Sequence, residues 1–188
     1  MNLHQRLSRR IHAEDILEIL FIIKDSNEKR RELYLLIFDK NDKISYQALW
    51  VCSHFNSEEK KWLLSKQNEL IDAVLNCKHP GKRRLFLTLL NHQSFYELSR
   101  IDLLDYCLDR IVAKDELPGV RALCIKLAYK LCRHTPDLLN EFHLILEMME
   151  CSSLPVSIRT VRKNSMEAIQ KCIRSAETIK NKNRFLDS

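Results

Sequence analysis

The stretches HPGKRRLFLTLL, residues 79–90, and LPGVRALCIKLA, residues 117–128, contain the only two glycines of the chain, Gly81 and Gly119, each directly behind a proline. Proline is suited to the first turn of a helix, where its fixed φ fits and its missing N–H has no partner to lose. The second stretch runs on as Val120, Leu123, Cys124, Leu127, Ala128 and Leu131, the i, i+3, i+4, i+7 spacing of a buried helical stripe. The two Pro-Gly pairs therefore read as two entrances to equivalent helices.

Working outward from these entrances reveals a repeat. Tyr46 in KISYQALWV, Arg83, Arg121, and Arg159 in PVSIRTVRK follow one another at intervals of 37, 38 and 38 residues. Two residues beyond each marker stand Ala48, Leu85, Leu123 and Val161, and six beyond stand Cys52, Leu89, Leu127 and Ser165, so one face stays small or apolar. Between these A helices lies a second signature, ELIDAVL from Glu69, DLLDYCL from Asp102 and DLLNEFHL from Asp137, which marks B helices. Acids near a helix N-terminus meet the positive end of its dipole, and Pro80, Pro118, Pro136 and Pro155 suit first turns.

The remaining composition agrees with an all-α chain. Two glycines and four prolines in 188 residues are too few for the turns of an all-β fold. The pattern predicts an N-terminal helix pair at 13–24 and 28–39, then repeats over 44–76, 80–113 and 118–150. In these, helices at 44–55 and 59–76, 81–92 and 101–113, and 119–133 and 137–150 form the pairs. A long helix at 155–179 and a frayed tail at 180–188 complete a single domain over 1–188. The N-terminal residues fit neither a signal peptide nor a membrane span, and the seven cysteines show no C-x-x-C pair and read as buried thiols, so a cytoplasmic location is expected.

The entrances PGKRR and PGVRA, the variant DKISYQAL and the period resemble HEAT repeats of the armadillo-like superfamily, covering about Ile44 to Cys172. The resemblance implies a right-handed α-α superhelix of about four helix pairs plus the long C-terminal helix. It implies a scaffold that holds proteins or nucleic acids on an extended surface, with B helices lining the concave side. It also places Arg83, Arg121 and Arg159 between stacked repeats, paired to acids or carbonyls. Tyr46 stands where the family often has Arg, and Lys82 where it often has Val.

Charge sorts by helix class. Lys82, Arg83, Arg84, Arg121, Lys126, Lys130, Arg133, Arg159, Arg162 and Lys163 fall on A helices, whereas the B helices are acidic. An acidic concave side disfavours a phosphate backbone and suits a basic protein or peptide. Asp72, Asn76, Asp105, Asp109, Glu141 and His143 are the candidate contacts of a non-enzymatic protein-interaction scaffold. The alternative is nucleic-acid binding through Lys82, Arg84, Arg162, Lys163, Lys171 and Arg174, on the A face and the last helix. A third reading resembles the HEAT-like DNA alkylation repair glycosylases, but the only tryptophans, Trp50 and Trp62, read as packing or edge residues.

Catalytic signatures are absent from the sequence: there is no Gly-rich phosphate loop, no G-x-S-x-G elbow and no H-E-x-x-H. The seven histidines are scattered, and Cys52 and His54 fall on different faces of one helix. No catalytic residue, cofactor or metal is expected, and the sequence leaves open whether the chain is monomeric or dimeric.

Overall fold

Small polar residues start most of the N-terminal helices. The computed structural model describes the backbone of residues 2–95 and 100–186, and the side chains of these residues as far as Arg174. All regular elements among the described residues are helical. They group into two compact units, Met1–Gln93 and Ser94–Ser188.

The first unit contains α1 (Leu3–Ser8), α2 (Ala13–Lys24), α3 (Asn27–Leu36), α4 (Asp42–Cys52), α5 (Ser57–Leu64), α6 (Gln67–Leu75) and α7 (Pro80–Asn91). Asn2, Ser26, Asn41 and Asn56 accept backbone N–H groups at the starts of α1, α3, α4 and α5, each such cap stabilising its helix by about 1 kcal/mol. Helix α4 packs on α1, α2, α3 and α7, and α7 packs in turn on α6. Burial follows from this position: Ile44, Ala48, Leu49, Val51 and Cys52 of α4 and Leu85, Phe86, Leu87, Leu89 and Leu90 of α7 are all inside.

The second unit contains α8 (Ile101–Val112), α9 (Pro118–Cys132), α10 (Pro136–Glu147), a short 3₁₀ turn at Cys151–Ser153, and α11 (Val156–Leu186). Here α9 is central, packed by α8, α10 and α11. It buries Ala122, Ile125 and Cys132 in addition to most of the predicted stripe, because neighbours cover it on more than one side. Each fully buried Leu or Ile here contributes about 1.5–3 kcal/mol relative to exposure.

The predicted elements are present, with four corrections. The helix expected at 59–76 is two helices, α5 and α6. Its ladder breaks at Leu63, whose carbonyl accepts the Lys66 N–H at 2.9 Å and the Gln93 Nε2 at 3.2 Å. A short α1 precedes the expected first pair. Helix α11 runs to Leu186 rather than ending near Ile179, while Asp187 and Ser188 of the expected tail lie outside the described residues. Cys77 and Cys151 sit outside the α-helices, and neither they nor Cys172 on α11 are buried, in contrast to Cys52, Cys107, Cys124 and Cys132.

One device recurs at the A helices of both units. A helix leaves its last carbonyls without intrahelical partners, and a side chain from the next A helix supplies a donor. In the first unit, Ser45 Oγ donates to the Ile37 carbonyl at 2.5 Å, and Arg83 Nε and Nη2 donate to the Cys77 carbonyl at 3.4 and 3.3 Å. In the second, Arg121 Nε donates to Ile111 at 2.9 Å and Arg162 Nε to Leu146 at 2.6 Å. Arg83 and Arg121 thus bind carbonyls as the resemblance implied, but in the last helix Arg162, not the exposed Arg159, takes that place. The linker explains the shift: eight residues separate α10 from α11, against five between α8 and α9. Gln47, also on α4, does similar work at the end of α1, donating Nε2 to the Leu7 and Arg9 carbonyls and accepting the Ile11 N–H.

Candidate functional site

The proposed protein-contact residues divide between the units. In the second, Asp105 and Asp109 are exposed on α8 and Glu141 is exposed on α10. His143 is half-buried, with Nδ1 3.7 Å from Glu147, and its Nε2 is buried without a hydrogen-bond partner among the described residues. It faces inward more than the sequence suggests. Large apolar side chains accompany these acids: Ile101 is 60% and Val112 59% exposed on α8, and Leu144 is 57% exposed on α10 with Met148 86% exposed at its end. Arg110 is the only Lys or Arg on α8 and α10. It is already engaged, Nη1 3.4 Å from Glu116 and its guanidinium over the Tyr106 ring. Asp102 is occupied as well: the Arg100 hydrogen bond and charge hold its carboxyl below the usual range.

In the first unit, Asp72 is exposed on α6 and Asn76 is the residue that ends that helix, its Nδ2 donating to the Asp72 carbonyl at 2.8 Å. Asn76 stands on the wall of an open groove of about 400 Å³ between the ends of α3 and α6 and the starts of α4 and α7. Phe38 and Phe86 form its apolar part, ring centroids 6.4 Å apart and tilted by 31°. Lys78, His79, Lys82, Asp42 and Cys77 form its polar part. Sequence reading placed Asn76 and Lys82 in opposite lists, and folding brings them to one groove. Neither Asp42 nor Phe38 was singled out, since only the turn geometry joins residues this far apart.

The basic set is partly consumed by structure. Lys82 Nζ lies 2.8 Å from Asp42 Oδ1; this hydrogen bond and charge, with a lesser contribution from His79, hold the Asp42 carboxyl below the usual range. Arg162 is tied to Leu146 as described. On α9, burial pushes the Lys130 ammonium down. Arg84, Lys163, Lys171 and Arg174 are exposed, with Lys163 4.0 Å from Glu167.

Trp62 is half-buried and meets the buried Tyr34 edge-on at 5.4 Å, while Trp50 is half-buried beside His54. Among the described residues no group of three His, Cys, Asp or Glu is placed to hold a metal ion, and no helix is long and apolar enough to cross a membrane.

Paired helices whose ends are tied by side chains of the next helix are what the resemblance to HEAT repeats implied, and the comparison with families agrees. A family model described as a HEAT repeat domain matches residues 3–169. The chain belongs to the HEAT repeat domain family. The match begins at α1, so the HEAT region includes the N-terminal helices that the repeat period reached only loosely. No curated protein and no solved structure matches the chain.

Proposed function

We propose that this HEAT repeat chain is a non-enzymatic scaffold for protein–protein interaction that offers its B-helix faces to a basic or extended partner. The outward faces of α8 and α10 carry the argument. They combine exposed Asp105, Asp109 and Glu141 with exposed Ile101, Val112, Leu144 and Met148, and the one Lys or Arg on these helices, Arg110, is paired with Glu116. Apolar anchors with a charged surround are the anatomy of a binding surface, because desolvated large side chains supply affinity while charge complementarity sets partner and on-rate. The loss of Lys82 and Arg162 to internal contacts weighs against the nucleic-acid reading, since phosphate binding depends on the number of free cations. A cytoplasmic location is part of the same proposal, supported by seven free thiols, four of them buried.

Charge reversal tests it. The triple variant Asp105→Lys, Asp109→Lys, Glu141→Lys should lose the proteins that the wild type captures from lysate while keeping its helical circular-dichroism spectrum. Unchanged capture by the folded variant would remove the acidic faces from the function.

A further inference from the structure

The groove at the ends of α3 and α6 has the opposite charge to the faces of α8 and α10, and nothing above assigns it an occupant. Its carboxylate, Asp42, is already neutralised by Lys82. Two carbonyls that would add to the negative side are taken: Arg83 binds that of Cys77, just past α6, and Ser45 binds that of Ile37, at the end of α3. Lys78 lines the same groove, is exposed, and makes no hydrogen bond or ion pair among the described residues. Two lysines, Lys78 and Lys82, therefore line the groove against one paired carboxylate, with the positive end of the 12-residue helix α7 beside them.

The apolar part limits the size of what fits. Phe38 is 42% exposed although it packs edge-on against Tyr34 at 5.3 Å and on Phe86. An aromatic ring set on its open side gains both area and an offset-stacking partner. A volume of about 400 Å³ holds one large side chain, near the small end of the range for ligand sites.

We infer that this groove is a second interaction site, which receives an acidic segment of a partner protein with one aromatic side chain seated against Phe38 and its carboxylates at Lys78. The site is independent of the acidic faces of α8 and α10, so either can fail without the other.

The test uses the full chain and a fluorescein-labelled hexapeptide with one phenylalanine flanked by glutamates, followed by fluorescence anisotropy. Saturable binding is expected, weakened about fivefold or more when the peptide phenylalanine becomes alanine. A similar loss is expected with Lys78→Glu, an exposed position whose change leaves the core alone. Phe38→Ala should also weaken binding, with its melting curve recorded as a control for folding. Location is read separately: in a Cys151→Ser, Cys172→Ser background, the peptide should slow alkylation of Cys77 on the groove wall. The inference is overturned by absence of saturable binding, by equal binding of a lysine-for-glutamate peptide, or by indifference to Lys78→Glu. It is equally overturned if Cys77 reacts at the same rate with and without peptide, which would put the peptide elsewhere.

Discussion

The two Pro-Gly entrances share a dipeptide and differ in what surrounds it. Pro80 and Pro118 are each the first residue of their helix, and no glycine among the described residues has a positive φ, so neither glycine is there for a left-handed turn. A Cβ on Gly81 would meet Tyr46 Cε2 at 3.0 Å and His79 Cε1 at 3.1 Å, whereas Gly119 is exposed. The arginines that follow differ in the reverse sense. Arg121 is buried on its carbonyl, while Arg83 is only half-buried on longer bonds. A repeated motif thus sets the helix start in both places, but close approach makes glycine necessary in one and burial makes arginine necessary in the other.

The largest effect should come from the arginines. Arg121→Ala removes a buried charged donor and leaves the Ile111 carbonyl without it, at an expected cost of about 2–4 kcal/mol. Arg83→Ala should cost about 1 kcal/mol, by the smaller loss expected where water can replace the donor. Urea unfolding measures both, and equal losses would break the comparison.

The glycines give the next effect, with opposite signs. Gly119→Ala should raise stability by about 0.5–1 kcal/mol through helix propensity and the unfolded state. Gly81→Ala should lower it, because the Tyr46 and His79 rings must move. Adding Tyr46→Ala to Gly81→Ala should recover most of the difference, a coupling that a double-mutant cycle reads directly.

The smallest effect lies beside the first entrance. Lys82 holds the Asp42 carboxyl below its usual range, so the pair is complete above the ordinary carboxylate value and is lost as pH falls through the lowered one. An NMR titration should find the Asp42 midpoint below that of a free aspartate, moving toward it in salt or in Lys82→Met. A midpoint at or above the free value would sever the link between α4 and α7.

Features that repeat in sequence were legible, and features made by distant partners were not. The starts of α7 and α9 follow from Pro80 and Pro118, and the central helices from their apolar spacing. The break between α5 and α6 was hidden because Gln93, 30 residues from Leu63, supplies its side-chain contact. Helix α1 was hidden because six residues carry little periodicity and its carbonyl partner, Gln47, lies 40 residues away. In the candidate site, the acids of α8 and α10 were visible as residues, and their exposed apolar companions were not, since Leu144 and Met148 read equally well as core. The tie of Lys82 was hidden for the same physical reason: its partner Asp42 is 40 residues distant.

Binding of a labelled basic peptide, duplex DNA and single-stranded RNA by fluorescence anisotropy at physiological salt tests the scaffold reading most directly. The account predicts that the peptide binds and loses affinity in the Asp105→Lys, Asp109→Lys, Glu141→Lys variant, while DNA and RNA do not bind. Nucleic-acid binding that persists at this salt and falls with Arg84→Glu or Lys163→Glu would contradict it and move the function to the basic helices.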